Sequence, residues 1–262
     1  MKQKQSQFSD WKDIGFSLET TLDGSPTLRL LNQFQADSDR AESMHHSGGA
    51  FSESLYIYGE IIDLGMKKLR SMVQPVQVLS VGLGLGYNEL LVAAYALKYN
   101  LHSSVQITSF EIVEGLKSCF LNYCEQKDLP SEIQKTYDLM LNFYEKHFTL
   151  KKNDLLAFLS DLYQEKKWII NSDFSTYNEK SEFHILLYDA FSGKTNQELW
   201  TEDFLSQKLK MISASQAIFA TYACRASLKK ALQKSNYNLL IKEGFQGKRN
   251  CTQARRGSFE MN

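Results

Sequence analysis

The stretch 76–86 (VQVLSVGLGLG) constrains the fold of this chain more than any other. Val76–Val81 is short, apolar and rich in β-branched residues, the composition of a buried strand. It runs straight into glycines at alternate positions, Gly82, Gly84 and Gly86. Residues 88–99 follow with Ala and Leu throughout, as a helix requires, and Val105–Phe110 alternates like a second strand that ends at Glu111. Strand, glycine turn, helix, strand is the opening of a parallel sheet. The glycines let the backbone turn sharply and let a ligand come close. The helix N-terminus behind them offers unpaired N–H groups, with Asn88 in its first turn.

Nucleotide-binding dehydrogenases and methyltransferases share loops of this kind. The dinucleotide fingerprint is G-x-G-x-x-G, whereas here the third glycine follows after one residue. Glu111, closing the second strand, is placed to accept hydrogen bonds from two ribose hydroxyls, which suits an adenosine cofactor without a 2′-phosphate. Residues 147–154 read as a further short strand, whose terminal Asp154 is expected to face the adenine amino group. Phe183–Tyr188 (FHILLY) is the clearest buried strand and ends at Asp189. Ligands of open α/β sheets bind at the carboxyl ends of the strands, so Asp189 is expected to face the reacting group. An acid there can orient an amine nucleophile and stabilise its developing positive charge.

The rest of the chain reads as mostly helical over 114–162, a helix over 201–211 with Thr201 as N-cap, and a strand over 216–222. A basic helix over 225–234 and strands over 237–241 and 250–254 then form a hairpin-like ending. With three prolines and no linker-like tract, the expected organisation is an N-terminal elaboration, 1–70, packed on one Rossmann-like domain, 71–262. The fold class is α/β, a mostly parallel twisted sheet with a terminal antiparallel hairpin. No apolar run approaches the roughly 20 residues that span a bilayer, and the polar first dozen residues lack a signal-peptide core. Four cysteines without paired spacing suit reduced thiols in the cytoplasm. The adjacent His45 and His46 lack a carboxylate at helical spacing, so no metal is expected; the 42–50 loop reads better as a cover over a ligand. Charge is balanced at 30 basic and 30 acidic residues, but residues 225–256 carry nine cations against Glu243 alone, a net +8. That segment suits either a polyanion-docking surface or ordinary solvated faces.

Together these segments resemble the MnmD-type methyltransferases, found also as the N-terminal half of bifunctional MnmC proteins. The resemblance runs over about 23–255. It is carried by Asp23-Gly24-Ser25-Pro26, the 42–50 loop, Glu53-Ser54-Leu55-Tyr56-Ile57-Tyr58 and the loop 82–88. Later come Asp189-Ala190-Phe191-Ser192, Glu198-Leu199-Trp200-Thr201 and Gly244-Phe245-Gln246-Gly247-Lys248-Arg249. It implies a class I enzyme that uses S-adenosyl-L-methionine to methylate the aminomethyl group of 5-aminomethyl-(2-thio)uridine at the tRNA wobble position. It implies Asp189 as the catalytic acid, and Glu53, Gly82, Gly84, Gly86, Asn88, Glu111 and Asp154 around the cofactor. Lys248, Arg249 and Arg225 would meet the anticodon stem-loop of tRNA. Any flavin-dependent partner activity would lie on a separate polypeptide. The chain departs from the family at Ser192-Gly193-Lys194, where a turn containing Ala-Pro is common, and at 166–182, which looks like an insertion. Two other readings stay open: a class I or aminopropyltransferase-like enzyme acting on a small amine, and a non-catalytic Rossmann-like RNA-binding module.

Overall fold

The computed structural model describes residues 8–31, 42–191, 196–247 and 250–259. An antiparallel hairpin of β1 (Phe16–Thr20) and β2 (Pro26–Leu30) comes first. A continuous helical run follows: α1 (Ala50–Ser54), a π-helical turn (Leu55–Gly59) and α2 (Glu60–Leu69). The main sheet contains β3 (Val76–Val81), β4 (Val105–Phe110), β5 (Trp168–Asn171), β6 (Phe183–Tyr188) and β7 (Ser213–Thr221), all parallel. It closes with β8 (Asn238–Lys242) and β9 (Cys251–Arg256), an antiparallel pair. The spatial order is β5-β4-β3-β6-β7-β9-β8, so the last strand inserts between β7 and β8. This is the mostly parallel sheet with a terminal antiparallel hairpin that the sequence predicts.

Alternation along the central strands separates two cores. Val78, Ile107, Ile185 and Ile218 face one side, where they meet α2, α3 (Tyr87–Lys98), α4 (Glu114–Cys124), α5 (Ser131–Phe148) and α6 (Lys152–Gln164). Leu79, Phe110, Leu186 and Phe219 face the other side, under α7 (Glu202–Ile212) and α8 (Ala226–Lys234). Burial on both faces is why β3 and β6 read as nearly unbroken apolar runs. Trp11, Phe16, Leu28 and Phe51 share the first core with β3 and α3, and the Trp11 indole N–H donates to Thr136 Oγ1 at 3.0 Å. Thr201 caps α7, its hydroxyl accepting from Phe204 N at 3.4 Å. No described helix is long and apolar enough to cross a membrane.

Two elements differ from expectation. Residues 147–154 form no strand: α5 ends at Phe148 and α6 begins at Lys152. Ile133, Tyr137, Met140, Leu141 and Tyr144 of α5 are buried at helical spacing, and this stripe, not local β-propensity, decides the state of the segment. The third strand is instead β5, inside the stretch read as an insertion. It is four residues long, at the sheet edge, and follows Glu165-Lys166-Lys167, so its sequence signal is weak.

Candidate active site

The sheet order reverses at β3, which lies between β4 and β6, and the crevice opens at the carboxyl ends of these strands. The Asp189 N–H donates to the Val81 carbonyl at 2.8 Å, and the Gly82 N–H donates to the Phe110 carbonyl at 3.0 Å, so the three strand ends are laced together. Gly82 sits at φ +90°, and a Cβ there would lie 2.4 Å from the Asp189 carbonyl oxygen. Only glycine lets the loop after β3 pass so close to the end of β6. Gly84 also lines the crevice, under Met44. Gly86 serves packing: a Cβ there would enter the Phe120 ring at 2.3 Å.

Glu111 is buried at the end of β4. Its carboxylate accepts from the Gly84 N–H at 2.9 Å and the Val113 N–H at 2.8 Å. Burial pushes its pKa upward, against the pull of those two N–H groups. Across the crevice, Asn88 in the first turn of α3 donates from Nδ2 to Asp189 Oδ2 at 3.1 Å. Burial raises Asp189 from 3.8 to about 7; the nearby Tyr58 hydroxyl and Asn88 favour its charged form, and Glu53 opposes it. The Tyr58 oxygen has no hydrogen bond of ordinary geometry, although it lies beside this carboxylate.

Glu53 also lines the crevice, its carboxylate accepting from the His46 N–H at 2.6 Å. Its helix is capped from the first hairpin. Ser25 Oγ accepts from the N–H groups of Ala50 and Phe51 at 2.9 and 3.0 Å, and Asp23 Oδ2 accepts from Ser52 N at 3.2 Å and Ser52 Oγ at 2.6 Å. The Asp-Gly-Ser-Pro block is thus an N-cap supplied from a distance, which satisfies the helix's orphan donors. Residues 42–45 cover the crevice, with His45 Nδ1 2.9 Å from Thr27 Oγ1 and its ring edge-on to Tyr87.

Asp154 does not reach the crevice; it is exposed in the first turn of α6, because the strand expected to carry it does not exist. Ser172, Asp173 and Phe174, which follow β5, line the crevice instead. This irregular segment is tied down by Lys208, a buried lysine of α7. Its ammonium donates to the carbonyls of Ser175 (3.0 Å) and Tyr177 and lies 5.5 and 5.3 Å from the Phe174 and Phe204 ring centres. Sequence reasoning missed Asp173 and Lys208 along with β5. It also missed Tyr58, whose signal lay unread in the Glu53–Tyr58 block.

Of the basic segment, Arg225 flanks α8 with its guanidinium 5.3 Å from the Trp200 ring centre. Lys248 and Arg249 lie outside the described residues, as do Ser192, Gly193 and Lys194. Lys230 and Lys234 pair with Glu202, and Lys242 pairs with Glu60, so among the described residues part of this basic charge already has acidic partners.

Residues 126–257, just over half of the chain, match the family described as S-adenosyl-L-methionine-dependent methyltransferase. An uncharacterized protein of Methanocaldococcus jannaschii is 26% identical over 241 residues, 90% of this chain and 58% of that protein. The tRNA 5-methylaminomethyl-2-thiouridine biosynthesis bifunctional protein MnmC of Campylobacter hominis is 24% identical over 207 residues, 78% of this chain and 28% of its own length. The chain therefore spans less than two thirds of either curated relative. The crystal structure of MnmC2 from Aquifex aeolicus shares the fold, with a TM-score of 0.60 and 21% identity over 92% of this chain and 69% of that one.

Proposed function

This chain belongs to a family of S-adenosyl-L-methionine-dependent methyltransferases, and on that premise we propose that it N-methylates the aminomethyl group of 5-aminomethyl-(2-thio)uridine at the wobble position of tRNA. The observation that carries the reading is Asp189. It is a crevice carboxylate, fixed by Asn88 at the end of the most buried strand, and it is poised at about 7. The similarity to MnmC, a tRNA 5-methylaminomethyl-2-thiouridine biosynthesis protein, supports the choice of substrate.

The residues present fit the cofactor. Glu111 closes β4 as a buried carboxylate suited to a ribose, and Gly82 and Gly84 leave room for close backbone approach beside it. Glu53 and Asp173 line the same crevice and bring negative charge to a cationic ligand. When bound, the cofactor supplies an electrophilic methyl group on a sulfonium.

The chain's own task is to deliver a neutral amine. A primary ammonium has no lone pair, and near neutral pH most of such a substrate is protonated. Asp189 is matched to accept that proton transiently, since at about 7 it is still substantially ionised near neutral pH and is a stronger base than an ordinary carboxylate. The strand end and Asn88 hold it rigidly, so positioning contributes as well as proton transfer. The cations Arg225, Lys248 and Arg249 of the basic segment would meet tRNA phosphates. The acidic lining of Glu42, Glu53 and Asp189 favours a second reading, a small polyamine as the methyl acceptor.

Single-turnover transfer of labelled methyl to tRNA, over a pH series, tests the proposal. Asp189→Asn should slow transfer roughly 10²–10⁴-fold, with partial rescue as pH rises and more substrate becomes neutral unaided. Near-wild-type turnover by the folded variant at neutral pH would remove Asp189 from the mechanism. Transfer to free polyamine but not to tRNA would establish the second reading.

A further inference from the structure

Among the described residues, Ser54 Oγ and Asn88 Oδ1 line the crevice buried and without a hydrogen-bond partner, and Tyr58 Oη, whose hydroxyl points its proton at Asp189, has nothing donating to it. Tyr58 and Asn88 are each 2% exposed, and both flank Asp189. An orphaned buried polar atom is costly, and one that lines a crevice can be satisfied by a bound ligand. The Asn88 amide has no freedom to remedy its own deficit. Its Nδ2 is engaged with Asp189 Oδ2, and a flipped amide would set oxygen against oxygen. The Tyr58 hydroxyl is held protonated by burial and by the adjacent Asp189, which leaves its lone pairs to accept. Tyr58 owes its position to the π-helical turn Leu55–Gly59, an irregularity that recurs at functional sites.

We propose that Tyr58 Oη and Asn88 Oδ1 accept the two N–H bonds of the neutral amine, and that this pair of acceptors limits the enzyme to one methyl per amine. The inference rests on the amine substrate proposed above. The ammonium gives one proton to Asp189, leaving two N–H bonds and one lone pair. Holding both N–H bonds fixes the direction of the lone pair. That pair forms the new N–C bond while the C–S bond breaks and its electrons return to sulfur, and the product is a secondary ammonium. For a second transfer the product must again lose a proton, and it then carries one N–H and one N–CH3 where two N–H bonds stood. Its methyl would cover a buried acceptor and leave it unpaired, a penalty that slows second transfer roughly ten- to hundredfold.

The test is exhaustive methylation of tRNA bearing 5-aminomethyluridine, with nucleosides resolved by mass spectrometry, for the wild type, Tyr58→Phe and Asn88→Leu. Calorimetric binding of S-adenosylhomocysteine is measured alongside. The wild type should stop at the monomethyl product. Each variant should lower kcat for the first transfer roughly tenfold and accumulate dimethyl product, and Tyr58→Phe should leave S-adenosylhomocysteine affinity unchanged. Dimethyl product from the wild type, or monomethyl product alone from either folded variant, overturns the one-methyl limit. Loss of S-adenosylhomocysteine affinity in Asn88→Leu overturns the assignment of that side chain to the amine. A wild type that binds S-adenosylhomocysteine but never methylates this tRNA refutes the proposed function instead. Tyr58→Phe and Asn88→Leu lie on different helices, so misfolding of one leaves the other to decide.

Discussion

Glu89→Gln should change the pH dependence of folding in a way set by a single buried carboxyl. Glu89 follows Asn88 on α3, a helix buried on all sides from Tyr87 to Ala96, and is 0% exposed. Its Oε1 accepts from the Ser109 hydroxyl at 2.7 Å, and Ser109 Oγ in turn accepts from the Trp168 indole N–H at 3.0 Å. Its Oε2 and the Ser80 Oγ lie close together, both buried, with no hydrogen bond of ordinary geometry to either. Burial raises Glu89 from 4.5 to about 7, opposed by Ser109 and Ser80 and assisted by Asp189. The folded state thus binds this proton more tightly than the unfolded state. The associated stability is fully present below pH 4.5 and is lost as pH rises through 7. Linkage makes the loss between pH 5 and pH 8 about 2–3 kcal/mol. Glutamine keeps the acceptor for Ser109, offers a donor to Ser80, and does not titrate. Urea unfolding of both proteins at pH 5 and pH 8 therefore should show the variant gaining about 2–3 kcal/mol on the wild type across that interval. Groups that Glu89 does not touch cancel in the comparison, and the coupled Asp189 adds a smaller change of its own. A stability difference identical at the two pH values would refute a buried, pKa-shifted Glu89.

Glu111→Ala should weaken S-adenosylhomocysteine binding by about 1.5–3 kcal/mol for each charge-assisted hydrogen bond lost, as measured by titration calorimetry. Unchanged affinity would remove Glu111 from the cofactor site. Lys208→Met should separate stability from binding. The melting temperature should fall only slightly, because an apolar chain of similar length fills the space while the Ser175 and Tyr177 carbonyls lose their donor, and S-adenosylhomocysteine affinity should fall much more as the 172–177 segment loses its tether. Equal losses in both would make Lys208 a general support of the fold. Reversing Lys248 and Arg249 to Glu should raise the Kd for tRNA and flatten its salt dependence, leaving cofactor affinity alone; unaltered tRNA binding would move the docking surface elsewhere.

What the sequence disclosed about this site followed from how strongly each element was patterned. β3 and β6 are buried on both faces and β4 alternates, so their patterns mark their limits, and Glu111 after β4 and Asp189 after β6 could be assigned by position. β5 was illegible because a four-residue edge strand after a charged turn carries little pattern, and the error moved an expected site residue from Asp173 to Asp154. Nothing in the sequence marks Glu89 as buried, because a glutamate in the first turn of a helix ordinarily faces solvent. Only the packing of β4 and α5 against α3 shows that this one does not. Tyr58 depended on a π-helical turn, and no propensity argument anticipates a change of helical period. The basic C-terminal segment was legible as charge, but the pairing of Lys230, Lys234 and Lys242 with Glu202 and Glu60 was not, because those acids lie far away in the chain.

The most direct measurement is mass spectrometry of wobble nucleosides from tRNA carrying 5-aminomethyl-2-thiouridine, before and after incubation with the protein and S-adenosyl-L-methionine. The account predicts conversion to the 5-methylaminomethyl nucleoside with the wild type and little conversion with Asp189→Asn. An unchanged wobble nucleoside, with a folded protein that binds S-adenosylhomocysteine, would contradict it.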